Sequence, residues 1–171
     1  GENVAGKAML CKIIAVIFHN DTVEMRYRGG PYAPESVKQA QEAGIGFIHQ
    51  ELMLVPQLTV LENIFRGAEK RLSFGRMDWK EMRGKTQRII DELELDIKPD
   101  DLIADLSIAQ QQMVEIAKAI FSEYKVIIFD EPTSGVDAKH LRSIATRLRE
   151  LADAGATVLC ITHAAELIQE C

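Results

Sequence analysis

Two acidic residues directly after a short apolar run are the residues in this chain best suited to chemistry. Asp130 and Glu131 end the run Val126–Phe129, in which apolar and polar residues do not alternate. A strand without alternation is covered on both faces, as in a parallel sheet, and open α/β sheets hold their ligands at the carboxyl ends of such strands. The pair therefore indicates a metal and water site facing a phosphate. A strand that runs into an acidic, solvated turn is the alternative that these two residues alone leave open.

The start of the chain carries a second phosphate-binding signal. Gly1, Gly6 and Lys7 satisfy the first seven positions of the pattern G-x-x-x-x-G-K-S/T, although Ala8 stands where the pattern has a hydroxyl. Such a loop presents backbone N–H groups and a helix N-terminus to an anion, and its lysine reaches the outer phosphates. The heptapeptide alone is a weak signal. Its place before the two acids, with a long middle section between them, makes the combination a strong one.

The composition is that of an ordinary globular domain. Of 171 residues, 47% are apolar and 27% charged, and a net charge of −6 does not favour general nucleic-acid binding. No apolar run approaches the roughly 18 residues of a membrane span, so a membrane role is expected to come through a partner. Cys11, Cys160 and Cys171 have no metal-binding spacing, and the first two, in apolar segments, are expected in the core. Their odd number fits a reducing compartment, and no secretory signal is visible.

Hydrophobic periodicity and capping residues predict an α/β core interrupted by a helical section. The predicted strands are Thr22–Arg28, Ile45–His49, Val126–Phe129 and Thr157–Thr162. The predicted helices are Gly6–Ile17, one capped by Ser36 that ends before Gly44, two that open at Thr59 and Asp78, one from Ser107 to about Tyr124, and one from Ala138 to Ala154. The helix after Asp78 is expected to bury one face, formed by Trp79, Met82, Ile89, Ile90 and Leu93.

These motifs, taken in order, resemble those of the ATP-binding subunits of ABC transporters. The likeness runs over essentially the whole chain and is greatest to the first ATP-binding half of bacterial simple-sugar importers of the ribose, xylose and galactose type. The matching segments are Gly1–Ala8 (Walker A), Gly46–Glu51 with Gln50 (Q-loop), Leu106–Gln110 (signature), Val126–Glu131 (Walker B and catalytic glutamate), Ser134–Asp137 (D-loop) and Thr162–His163 (switch histidine). Leu54–Ile64 and Phe74–Trp79 are similar to stretches typical of the sugar-importer group.

The resemblance implies a phosphate-loop NTPase-like, mostly parallel α/β sheet with an inserted helical subdomain, truncated at both ends. Residues 1–50 would form the phosphate-loop part of the core, 51–123 the helical subdomain with the signature motif, and 124–171 the rest of the core. A helical insertion that only packs on the core is the alternative for the middle section. Both ends are expected to be internal to a longer protein, because the chain opens inside a loop and stops soon after His163.

The resemblance also implies a site for ATP and Mg²⁺. Catalysis would fall to Glu131, which would orient the attacking water, with His163 and Gln50 near the γ-phosphate. Asp130 and Gln50 would bind the metal. The residues expected to bind nucleotide are Gly1, Asn3, Gly6, Lys7, Ser107, Gln110 and Asp137. Ser107 would serve both as a helix N-cap and as a contact to ATP held by an opposing domain.

The partners that the resemblance implies are a second ABC ATP-binding domain, membrane permease subunits and, indirectly, a sugar-binding protein. The expected location is peripheral, at the cytoplasmic face of the inner (plasma) membrane, and no nucleic-acid partner is expected. The phosphate loop departs from the family pattern, since Val4 replaces a glycine and Ala8 and Met9 replace hydroxyl residues. A valine is strained if position four needs a positive φ. The alternatives are therefore a non-hydrolytic binding or structural partner with a degenerate loop, or a soluble ABC protein of translation or DNA repair.

Overall fold

The computed structural model describes residues 4–15, 24–48, 52–66, 78–122, 124–130, 136 and 138–161. The helices are α1 (Val4–Ile14), α2 (Val37–Glu42), α3 (Val60–Phe65), α4 (Trp79–Glu92), α5 (Ile108–Phe121) and α6 (Ala138–Asp153). The strands are β1 (Arg26–Tyr27), β2 (Gly30–Pro31), β3 (Ile45–Ile48), β4 (Val126–Asp130) and β5 (Thr157–Ile161), and a 3₁₀ turn covers Ile103–Asp105. The predicted α/β class with a helical section between its two parts is confirmed.

A parallel sheet of order β3-β4-β5 forms the centre of the α/β part. Ile127, Ile128 and Phe129 of β4 are all at most 1% exposed, as the apolar run without alternation predicted. Ile127 and Phe129 pack with residues of α5 and α6, whereas Ile128 packs with Cys11 of α1, Tyr32 and Ile45. The strand is therefore covered on both faces, and its carboxyl end lies beside those of its two neighbours.

The helix starts that the sequence predicted from capping residues are confirmed. The side chains of Ser36, Thr59, Asp78 and Ser107 each accept the backbone N–H three residues later. Thr59 and Ser107 form complete capping boxes with Glu62 and Gln110. Gly44, with φ +91°, follows α2, and Gly155, with φ +96°, follows α6, so each supplies the left-handed residue that commonly ends a helix.

The middle helices share their hydrophobic core with the sheet. Val60 and Phe65 of α3, Met82 of α4 and Val114 of α5 lie in the same buried cluster as Ile127 of β4. Among the described residues, the side-chain amide of Asn63 in α3 is fully buried, and its Oδ1 accepts the N–H of Val55 at 2.8 Å. Its Nδ2 donates to the carbonyls of Val55, Leu58 and Thr59. A buried polar group with all its partners fixes this connection to α3 in one conformation.

Several predicted boundaries differ from the observed ones. The first helix begins at Val4 rather than Gly6 and ends at Ile14, the described part of Thr22–Arg28, residues 24–28, contributes only β1, and α5 ends at Phe121. Met25 and Tyr27 are nevertheless half-buried between exposed neighbours, as the alternation predicted. The start of α1 differs by two residues and the ends of α1 and α5 by about three, slightly more than the one or two residues by which helix ends usually vary.

Two residues expected in the core are exposed. Trp79, with 46% of its surface accessible, is the first residue of α4, ahead of the buried positions that begin at Met82. Cys160 lies on β5, at the edge of the described sheet, and is exposed, whereas Cys11 is buried as predicted.

Gly46 of β3 makes room for an aromatic ring. It is buried, and a Cβ added to its backbone would overlap the ring of Tyr124. Tyr124 packs against the main core from the connection between α5 and β4. The absence of a side chain at position 46 therefore lets this connection close onto the sheet.

We expect Gly46→Ala to lower the free energy of unfolding by about 1–3 kcal/mol, the usual cost of overpacking. Gly84→Ala is the matched control, because Gly84 lies in α4 with no atom within 4 Å of an added Cβ. That change should instead stabilise the protein by up to about 1 kcal/mol through helix propensity. Urea denaturation checks both, and a Gly46→Ala variant as stable as the unaltered protein would contradict the packing described.

Candidate functional site

The carboxyl ends of the three parallel strands converge at one edge of the sheet. Ile48 of β3 is opposite Phe129 of β4, and Asp130 is opposite Ile161 of β5. Gln50, Glu131 and His163 follow these strand ends in the sequence but lie outside the described residues, as does the side chain of Asp130. The structure thus brings together the strand ends that precede three predicted catalytic residues.

Helix α1 packs on this sheet and carries unpaired backbone donors at its amino end. Residues of α1 contact β4, and the first four N–H groups of a helix, here those of residues 4–7, have no partner within it. Gly6 is exposed, and the side chain of Lys7 lies outside the described residues together with Gly1 and Asn3. A helix N-terminus in this position suits an anion.

Val4 does not have the backbone strain considered for it. It lies in helical conformation as the first residue of α1, and Arg28 and Glu94 are the non-glycine residues with positive φ in the described part of the chain. Without a glycine at position four, the segment forms helix two residues earlier than the sequence predicted. Backbone donors that a phosphate loop would direct at its ligand are therefore placed in the first turn of α1.

Ser107 and Gln110 are held together at the start of α5. The Oγ of Ser107 accepts the N–H of Gln110 and donates to its Oε1 at 2.9 Å. The same Oε1 accepts the N–H of Ser107, and Nε2 of Gln110 donates to the carbonyl of Asp96 at 3.1 Å. The amide of Gln110 is thus occupied in holding the cap, while the Ser107 hydroxyl can donate its proton to an anion in place of Oε1.

A cavity of about 330 Å³ opens beside this cap. Ser107, Ala109 and Gln110 line it from α5, and His140 lines it from the first turn of α6. The amino ends of two helices therefore meet at one cavity, and each carries a partial positive charge. Neither His140 nor Asp96, which also lines this cavity, was predicted from the sequence. The sequence could have indicated His140 as a site residue, because it lies three residues after the predicted site residue Asp137. Asp137 itself lies outside the described residues.

The described residues allow a magnesium site but do not complete one. No group of three His, Cys, Asp or Glu side chains within the described ranges is arranged to hold a metal ion. Asp130 places one carboxylate-bearing residue at the end of β4, and Ala8 brings no oxygen from α1. Mg²⁺ uses one or two carboxylates together with phosphate oxygens and several waters, so this donor set fits only an ion bound with its nucleotide.

Glu115 connects α5 to the segment that follows the predicted Q-loop. Its Oε1 accepts the N–H of Met53 at 2.8 Å. Burial raises the pKa of Glu115 above the ordinary value of 4.5, and Lys118 and the Met53 N–H only partly offset this effect. A carboxylate held in this way lies between the helix of Ser107 and the chain after Gln50.

Comparison with known proteins identifies relatives. A family model described as ABC transporter matches residues 1–134. The dimeric structure of a bacterial ABC transporter cassette is 25% identical, with 97% of this chain and 73% of that chain covered and a TM-score of 0.81. A dimeric cassette in a post-hydrolysis state bound to ADP and Pi is 26% identical over the same shares, with a TM-score of 0.79.

A third structure supports the fold alone. It is the Clostridium perfringens protein cbiO1, part of the ABC transporter complex cbiONQ, and it is 24% identical. The match covers 100% of this chain and 68% of that one, with a TM-score of 0.73. Among the described helices of the present chain, none combines the length and apolar character needed to cross a membrane.

We expect Glu115→Gln to change how stability depends on pH. Because the folded pKa of Glu115 lies above 4.5, ionisation of this group destabilises the fold increasingly as pH rises through and above that value. Glutamine can still accept the Met53 N–H but does not ionise. The variant should gain stability relative to the unaltered protein between pH 4.5 and 7.5, measured by urea denaturation. A relative loss over that interval would show that the buried carboxylate is net stabilising.

Proposed function

The chain belongs to the ABC transporter family as an ATP-binding domain, and we propose that it binds and hydrolyses ATP to power the import of a monosaccharide. It would act as a nucleotide-binding subunit at the cytoplasmic face of the plasma membrane. Its partners would be membrane permease subunits and a second ATP-binding domain, with a sugar-binding protein acting indirectly through the permease.

One observation carries this proposal. Ser107 caps α5, and its hydroxyl lies beside a cavity where two helices begin. The same chain has a parallel sheet whose strands end together at Ile48, Asp130 and Ile161. The Ser107 hydroxyl would be open to a phosphate held from outside this domain, since Ser107 and Ile108 are exposed and Ile108 has 70% of its surface accessible.

The roles of the site residues follow from their chemistry. The N–H groups of the first turn of α1 and Lys7 would hold the phosphates, with Gly1, Asn3 and Gly6 shaping the approach. Asp130 would hold Mg²⁺ together with Gln50, and the bound ion would neutralise charge on the phosphates. Glu131 would orient water, and His163 would donate to the γ-phosphate. Asp137 would act at the contact between the two domains. There it would lie near Ser107 and Gln110 of one domain and near the nucleotide that the other domain holds.

The sugar-importer part of the proposal is supported by two stretches of sequence. Leu54–Ile64 and Phe74–Trp79 resemble that group, and the first of these is a well-formed structural unit. The buried amide of Asn63 holds the chain from Val55 to Thr59, and the Thr59–Glu62 capping box starts α3 immediately afterwards. We infer that residues 51–123 form the helical subdomain that meets the permease, between core parts 1–50 and 124–171.

Replacement of the predicted catalytic glutamate gives a direct prediction. In the intact subunit, Glu131→Gln should slow ATP hydrolysis by about two to four powers of ten, the range expected for loss of a group that acts on a proton. ATP binding should survive, because the amide keeps the shape of the side chain. Turnover and nucleotide titration measure the two effects separately. Unchanged turnover would remove Glu131 from the mechanism.

A non-hydrolytic role is the second candidate, and the start of α1 favours it. Helix already begins at Val4, and Ala8 and Met9 lack the hydroxyl groups that the family pattern places there. Met9 is 57% exposed and offers only a thioether to a ligand. Under this alternative the chain would hold nucleotide weakly and complete a site whose hydrolysis depends on its partner domain.

Restoring the phosphate-loop pattern distinguishes the two candidates. Val4→Gly, Ala8→Ser and Met9→Thr together should tighten MgATP binding more than about a hundredfold, because hydrogen bonds to charged groups contribute roughly 1.5–3 kcal/mol each. Binding should also become more dependent on Mg²⁺. Nucleotide titration with and without Mg²⁺, before and after restoration, gives the comparison. Low-micromolar MgATP binding by the unrestored protein would rule out the degenerate-loop candidate.

A further inference from the structure

A basic groove lies at the opposite edge of the sheet from the candidate nucleotide site. It has a volume of about 800 Å³ and is lined by α4, α5, α6 and the residues that precede β4 and β5. Lys125 comes directly before β4, whereas Asp130 ends the same strand, so the two lie about 16 Å apart at roughly 3.3 Å per residue. We define the basic groove by six of its lining residues: Lys85, Arg88, Phe121, Tyr124, Lys125 and Arg147.

The charge of the groove is opposite to that of the chain. Its described lining contains four cationic side chains and one carboxylate, that of Glu92, although the whole chain has 26 acidic and 20 basic residues. Lys85 pairs with Glu81, and Arg147 pairs with Glu92 and Glu150. Arg88 and Lys125 are exposed and form no ion pair with any described residue. Two cations on separate elements are therefore available to a ligand.

The groove has an apolar floor between its cationic side chains. Ile89 and Ile120 are buried beneath it, and the rings of Phe121 and Tyr124 are partly buried. The helices α4, α5 and α6 all end beside it, and many of their last carbonyls already accept backbone N–H groups, as those of Ile90, Asp91 and Leu151 do. A ligand that fits combines an apolar group with separated negative charges.

We propose that the basic groove binds an acidic segment of a partner protein, in which an apolar side chain lies between carboxylates. The apolar side chain would rest on the floor near Phe121 and Tyr124. The carboxylates would pair with Arg88 and Lys125. The volume is within the roughly 300–1,000 Å³ of binding pockets. Because the chain as a whole repels acidic peptides, binding of one requires a local site of this kind.

The test uses a short fluorescein-labelled peptide in which leucines are flanked by glutamates. The full chain is titrated into this peptide at low ionic strength, and fluorescence anisotropy measures binding. The paired change Arg88→Glu with Lys125→Glu should weaken binding at least about tenfold, since it removes two exposed ion pairs and adds repulsion. Lys80→Glu is the matched control, because Lys80 is exposed on α4 outside the groove. The affinity of this variant for the peptide should be within about twofold of that of the unaltered protein. The milder pair Arg88→Gln with Lys125→Gln provides a second comparison, and thermal melting confirms that each variant is folded.

Three outcomes would overturn the proposal. The first is equal binding of the peptide by the charge-reversed pair and the Lys80→Glu control. The second is equal binding of a peptide in which glutamines replace the glutamates. The third is tighter binding of a single-stranded oligonucleotide or of inorganic tripolyphosphate than of the acidic peptide, since that would assign the groove to phosphate groups.

Discussion

The position of every candidate catalytic residue depends on the pairing of β4 with a parallel strand on each side. β4 is hydrogen-bonded to β3 and β5, and its side chains enter two separate cores, Ile127 and Phe129 on one face and Ile128 on the other. A register shift of β4 by one residue would turn every side chain of the strand to the opposite face of the sheet. Large side chains would then enter a core that is packed around different residues. The register therefore fixes where Asp130 ends the strand and which neighbouring strand ends lie beside it. Gly46 contributes from β3, since the missing side chain admits the ring of Tyr124.

Helix α5 connects this sheet to the second half of the proposed site. Ser107 is held at its amino end by the capping box, and Ile116 and Ala117 bury its middle in the main core. Glu115 reaches from the same helix to the chain at Met53. A helix that is fixed by packing and by hydrogen bonds at several points transmits a displacement at one end as movement of the whole. In the ATPase that we propose, α5 would relate the phosphate at Ser107 to the segment after Gln50.

The sequence predicted well those features that are determined by local physical chemistry. Capping side chains at Ser36, Thr59, Asp78 and Ser107 need only the next three residues, and a buried parallel strand needs only an unbroken apolar run. Features that depend on tertiary context were missed or wrong. Trp79 has an apolar side chain but lies ahead of the buried positions of α4, and the overlap between Gly46 and Tyr124 joins residues far apart in the chain. The basic groove was not predicted, because its cations come from three elements that the sequence does not show to be neighbours.

The central claim is that Ser107 of one domain completes the nucleotide site of another, and a mixing experiment tests it most directly. Ser107→Asp keeps a good helix cap but places a negative charge against phosphate, and Lys7→Ala removes the cation from the phosphate loop. Each variant alone should hydrolyse little ATP. Where two copies of this domain form the pair, a mixture of the two variants should recover activity, because one of the two sites in a mixed pair combines an intact Lys7 with an intact Ser107. A mixture as inactive as its components, beside an active unaltered protein, would contradict the account.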